Sequence, residues 1–155
     1  MAWMPLETNI NGPAPESGGR RVLAGMLAGG CLSLLLVAVW LAPSSNGQGT
    51  HTQLGLRPCA WASRLDTPCP SCGMTTAFAY AAEGSFTASM AAQPMGFILA
   101  MGTAIVFWGA LHVAVFGSAV GQFAIQMVRP STLWIFGGAA AAAWAYKIVT
   151  WPGVS

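Results

Sequence analysis

The stretch VLAGMLAGGCLSLLLVAVWLA, residues 22–42, decides the fold class. It runs for 21 residues without a charge. A helix needs about 20 apolar residues to cross the hydrocarbon core of a bilayer. Arg20 and Arg21 stand just before it, and Trp40 sits at its far end, where an interfacial aromatic belongs. Cys31 falls inside this span and reads as a small packed apolar side chain. A cleaved signal peptide is the competing reading. The apolar run continues past Cys31, however, and a cut after Ala42 would put Trp40 in a pocket built for small residues. The segment is therefore read as a retained span.

The rest of the chain agrees. Of 155 residues, 6% are charged and 55% hydrophobic, with a mean hydropathy of +0.60. A soluble domain carries about 25% charged residues. A net charge of +2 supplies no field for nucleic acid. From Gly84 to Val128 there is no Lys, Arg, Asp or Glu. Within that stretch, residues 94–117 predict a second span, with Pro94 in its first turn and Gln93 as its cap. Residues 132–151 predict a third, with Trp134 and Trp151 at its ends and Lys147 close enough to the end to snorkel. Ala139 to Ala143 make this last helix thin, which suits close packing against a neighbour. Gly25-x-x-x-Gly29 and Gly117-x-x-x-Gly121 are spacings of the same kind, but chance produces them in a chain with 19 glycines.

The expectation is an all-α membrane protein with three transmembrane helices at about 22–42, 94–117 and 132–151. Residues 1–21 read as a flexible tail and 22–155 as one membrane domain. Three spans put the termini on opposite sides. The Arg pair beside the first span places the N-terminus in the cytoplasm and the loop 43–93 outside, in a multi-pass protein of the inner membrane. Three thin helices bury little surface, so the expected partners are the bilayer and either further copies or other membrane subunits, and no nucleic acid.

The loop 43–93 holds Cys59, Cys69 and Cys72. In Cys69-Pro70-Ser71-Cys72-Gly73 two cysteines on a tight turn aim their sulfurs at one spot, and the glycine permits a close backbone approach. Three kinds of chemistry fit. The first is zinc, held by Cys59, Cys69 and Cys72, with His51 as the only other soft ligand in the loop, in the spacing His51-x7-Cys59-x9-Cys69-x2-Cys72. The second is thiol–disulfide exchange by Cys69 and Cys72, with Cys69 as the exposed nucleophile ahead of a helix start. The third is a static disulfide joining Cys59 to Cys69 or Cys72. Haem attachment is excluded, because Gly73 stands where a histidine is required. After the turn, Met74, Phe78 and Ala82 recur at helical spacing up to Gly84. Ser85 can cap a second short helix carrying Phe86 and Met90, which stops at Pro94. One or two short interfacial helices are expected there. His112, inside the second span, reads as a neutral histidine bonded to a neighbour or lying near the headgroups. Asp66 and Glu83 form no acid–base pattern.

These residues resemble a family of small bacterial membrane proteins of unknown function. Its pattern is a first Cys, a spacer, then G-x-x-C-P-x-C-G-x-T-R-A, a short helix, a Gly, and an N-P dipeptide opening the next span. Cys59 takes the first position, Cys69 to Thr75 the central motif, Ala77 its alanine, Gly84 the glycine and Gln93-Pro94 the N-P place. The resemblance covers about residues 52 to 115. Thr76 replaces the Arg, Gln93 the Asn, and Asp66 a common Gly. His51 is not part of the pattern. The resemblance implies the architecture and no reaction. Two functional expectations follow. One is a non-enzymatic subunit of a membrane assembly whose Cys59, Cys69 and Cys72 cluster is structural, held by zinc or a disulfide. The other is a membrane thiol oxidoreductase using Cys69 and Cys72.

Overall fold

The computed structural model describes residues 17–117 and 130–151. Among these residues every regular element is helical. They are α1 (Ser17–Trp40), a 3-10 turn (Thr50–Leu54), α2 (Ala60–Leu65), α3 (Met74–Ala82), α4 (Phe86–Ala92), α5 (Pro94–Phe116) and α6 (Pro130–Val149). The helix of the first span begins at Ser17, so the last residues of the expected tail are helical. Positions 1–16, Gly121, Arg129 and the expected stop at Pro152-Gly153 lie outside the described residues.

Two helices are long and apolar enough to cross a membrane, Gly18–Trp40 and Pro94–Phe116. Each has 23 residues. At about 1.5 Å per residue that is about 35 Å, more than a hydrocarbon core of about 30 Å. The third expected segment falls on α6, a 20-residue helix that carries Lys147 and is not one of those two.

α1 and α5 pack antiparallel. Arg21, in the second turn of α1, donates from Nε to Ala114 O (3.0 Å) and from Nη2 to Val115 O (2.9 Å). A guanidinium at these carbonyls satisfies acceptors that the last turn of α5 leaves open and complements the negative end of its dipole. Gly117 then closes α5 in the left-handed conformation, its N–H donating to Val113 O at 2.8 Å. Most of the covered side chains of these two helices are small: Ala28, Cys31 and Ala38 on α1, Ala100 and Ala110 on α5, with Met95 and Val113 the larger exceptions on α5. The small ones are separated by three, seven and ten residues, which keeps them on one face of each helix. The bulky side chains, such as Leu36, Val39, Ile105 and Trp108, point outward. Gly25 and Gly29 meet nothing within 4 Å among the described residues, so that spacing joins no helices there.

The short helices α3 and α4 fold against the start of α5. A Cβ on Gly96 would lie 2.8 Å from Ala77 Cβ and 3.3 Å from Met74 Cα, so only glycine lets α3 cross α5 this closely. The stripe read at Met74, Phe78 and Ala82 is not the buried face of α3. Ala82 is exposed, and Thr76, Ala77, Ala79 and Ala81 are buried. The crossing demands small side chains, and the larger Met74 and Phe78 sit at its margin. Ser85 occupies the cap position of α4 without a side-chain cap bond, while Phe86 and Met90 are exposed.

Candidate functional site

Cys69, Pro70, Ser71 and Cys72 form a turn closed by Cys72 N–H on Cys69 O (2.9 Å) and Met74 N–H on Ser71 O (3.1 Å). Gly73 follows with φ +85°. A Cβ there would sit 2.7 Å from Gly47 O, 3.0 Å from Ala92 O and 3.3 Å from Lys147 Nζ. The glycine of the motif is thus required twice, for its dihedral and for the space.

The turn is held from three sides. At the start of α5, the Gln93 amide donates to Pro70 O (3.1 Å) while its oxygen accepts from Met95 N–H (3.1 Å). It caps α5, as expected, and also grips the cysteine turn. From α6, Trp144 Nε1 donates to Pro68 O (3.0 Å). Lys147 Nζ donates to Ala92 O (2.9 Å) and Gly47 O (3.3 Å). Lys147 is only 4% exposed, so the expected snorkelling does not occur. Its ammonium finds carbonyl acceptors inside the loop, and a buried cation needs such partners. From the preceding strand of loop, Thr50 Oγ1 accepts from Ser44 N–H (3.0 Å) and pairs with Thr76 Oγ1 (2.8 Å). Thr76 stands where the resembled pattern has an arginine, and it is fully buried.

Cys59 caps α2. Its sulfur lies 3.5 Å from that of Cys69, which in turn is 3.4 Å from Ser71 Oγ. Cys72 donates to Gln48 Oε1 at 3.6 Å and also lies beside Cys69. All three are free thiols, and they line one cavity of about 330 Å³ together with His51 and Met74. Among the described residues no three His, Cys, Asp or Glu side chains are grouped to share a metal ion. The fourth cysteine, Cys31, is buried in α1 as an apolar side chain. His112 stacks at 4.7 Å on Phe116 near the end of α5, and neither it nor Asp66 or Glu83 lines the cavity.

The thiols are electrostatically unlike. The Ala62 amide at the open first turn of α2 holds the Cys59 thiol below its ordinary value against some burial, helped by Cys69 and the Trp61 amide. Burial pushes Cys72 up to about 11, with a contribution from the neighbouring Cys69 and a partial offset from the Lys147 ammonium. The activated thiol of the cluster is therefore Cys59, whose sulfur lies beside that of Cys69. The C-x-x-C spacing directs attention to Cys69 and Cys72, while the sequence offered Cys59 with Cys69 or Cys72 only as a static disulfide and gave no sign of the cap position that lowers the Cys59 thiol.

Residues 59–108 match the family model described as Protein of unknown function (DUF2752). That match spans the loop from Cys59 onward, α3, α4 and about the first two thirds of α5, about a third of the 155 residues. It begins on Cys59 and includes Cys69, Cys72, Gly73 and Gln93. No curated protein and no solved structure matches the chain. The DUF2752 model, like the resemblance, carries no reaction.

Proposed function

We propose that this chain is a three-span inner-membrane protein, a non-enzymatic subunit of a membrane assembly, whose loop is locked by a Cys59–Cys69 disulfide. The observation that carries the lock is the 3.5 Å approach of these two sulfurs at the rim of a cavity, with Cys59 biased toward the thiolate. An external thiol oxidant takes two electrons and two protons from the pair, and Cys72 stays a thiol behind them. Disulfides persist on the outer side of the membrane, which agrees with a cytoplasmic N-terminus and an external loop. What supports the third crossing, at 132–151, is that Trp144 and Lys147 near the end of α6 meet the loop that joins α1 to α5. The same side then collects the end of α1, the start of α5 and the end of α6.

A second reading keeps the cluster structural through zinc on Cys59, Cys69 and Cys72, with His51. It is favoured by the one cavity that all four residues line. Binding there requires the sulfurs to converge, Cys72 leaving Gln48.

Purified protein, kept free of chelator, separates these readings. Thiol counting and peptide mapping without reductant should recover a Cys59–Cys69 linked peptide, with Cys72 and Cys31 unmodified. One zinc per chain with masked loop thiols would replace the disulfide by the metal. A Cys69–Cys72 pair that cycles with an oxidant would turn the protein into the thiol oxidoreductase. Three reactive loop thiols and no metal would overturn every form of the lock.

A further inference from the structure

The loop side of the molecule carries exposed apolar side chains that the cysteine site does not use. Leu54, Leu56, Trp61 and Leu65 are 43%, 56%, 48% and 61% exposed. In α2, Trp61 and Leu65 are four residues apart and Arg64 lies three from Trp61, so these three share one face, while Ala62 turns inward. The indole of Trp61 is fixed, its Nε1 donating to Thr67 Oγ1 at 3.2 Å. Arg57 and Arg64 are both exposed.

The height of this segment is set by Gln53. Its amide donates to Ala42 O (2.6 Å) and its oxygen accepts from Ala42 N–H (3.2 Å). Ala42 is two residues past Trp40, the exposed aromatic that ends α1. The 3-10 turn is therefore tied to the point where the first helix leaves the hydrocarbon. At that level the apolar phase within reach is lipid, and the anions within reach are headgroup phosphates. Indole rings favour this layer. Guanidinium groups bind phosphate bidentately, and their stems cover apolar surface.

We infer that residues 54–65 form a ledge in the headgroup layer beside α1, with Leu54, Leu56, Trp61 and Leu65 at the acyl boundary and Arg57 and Arg64 on anionic phospholipid phosphates. The inference rests on the membrane reading above. It gives the cysteine loop a second anchor, so the mouth of the thiol cavity stays at the bilayer surface.

The test uses the full chain reconstituted in vesicles of phosphatidylcholine, with or without phosphatidylglycerol, and with acyl chains brominated near the carbonyl end. Trp61 is read as the difference between wild type and Trp61→Phe. Its fluorescence should be quenched by the bromines along with that of the other tryptophans. If the others are quenched and Trp61 is not, the ledge faces water or a protein and the inference falls. If none is quenched, the membrane reading itself fails. Phosphatidylglycerol should raise the Tm of wild type, and Arg57→Gln/Arg64→Gln should lose more than half of that increment. An increment absent in wild type, or equal in both proteins, would overturn the phosphate contacts.

Discussion

The paired long helices and the loop between them differ in what they bury: both cover alanines, and the loop covers polar side chains as well. On α1 and α5 the covered residues are mostly alanines, with Cys31, Met95 and Val113, while many leucines, Ile105 and Trp108 face outward. In the loop region the covered residues include Thr50, Thr76, Ser89, Gln93 and Lys147, and each has a hydrogen-bond partner. Where lipid solvates the outside, apolar bulk gains nothing by turning inward, and small residues that let backbones approach are selected instead. The interior of the loop holds polar side chains instead. Its chain must satisfy buried polar groups internally, because each one left unpaired costs about 1–3 kcal/mol. One region is held by fit between thin helices, the other by a hydrogen-bonded core.

This contrast breaks most severely at Gly73. Gly73→Ala forces a side chain into a left-handed dihedral and into contact with Gly47 O. We expect a loss of roughly 3 kcal/mol or more from strain and overpacking together. Reversible denaturant unfolding in detergent measures it, and a loss under about 0.5 kcal/mol would dismiss the tight loop core. Lys147→Met is next. It leaves Ala92 O and Gly47 O without a donor and cuts the polar tie between α6 and the loop, for about 2–3 kcal/mol. Limited proteolysis should then cleave the loop faster while α1 stays protected.

Gln93 sharpens the comparison, because it belongs to both regions. Gln93→Leu removes the cap of a long helix and the grip on Pro70, and should cost about 2 kcal/mol. Gln93→Asn, the residue of the resembled pattern, keeps a capping oxygen but is one methylene shorter. It should cost about 1 kcal/mol, the worth of the Pro70 bond.

The thiols report the same core through pH. Burial holds Cys72 neutral, and that preference stabilises the fold below the ordinary thiol value of 9.0. It is lost as pH rises through about 11. Alkylation of Cys72 should therefore stay slow until pH nears 11, and the loop should loosen across that window. In reduced protein Cys59 should react at lower pH than an ordinary thiol, because its thiolate is favoured. Equal pH profiles for the two would mean that Cys72 is not buried in solution.

The long helices could be read from residues 22–42 and 94–117 because a bilayer imposes length and composition on any segment that crosses it. The cap at Gln93 and the burial of Cys31 were legible for similarly local reasons. The cysteine site was legible as a set of residues and not as a geometry. Lys147 meets carbonyls 55 and 100 residues earlier in the chain, and Trp144 one that is 76 residues earlier. No local pattern encodes such pairings, so Lys147 looked like an interfacial cation. Thr76 looked like a plain departure from a pattern, because nothing nearby in the chain announces Thr50. The pairing of Cys59 with Cys69 depends in the same way on where α2 sets its first turn.

The smallest expected effect lies on the outer face of α5. Ile105 is 73% exposed. Buried in the core of a soluble protein, an Ile→Ala change costs about 2–5 kcal/mol. In a bilayer the Ile105 side chain touches lipid whether or not the helices are associated, so no transfer from water is lost. Ile105→Ala should therefore shift stability by less than about 0.5 kcal/mol in vesicles, within the range of an ordinary surface change. The measurement also addresses the assembly proposed for this protein. A loss of core size at Ile105 would mean that this face is covered by protein, a second copy or another subunit, and crosslinking through a cysteine placed there would tell which. An effect near zero leaves α5 facing lipid and moves the search for a partner to α6, where Trp134 is 84% exposed.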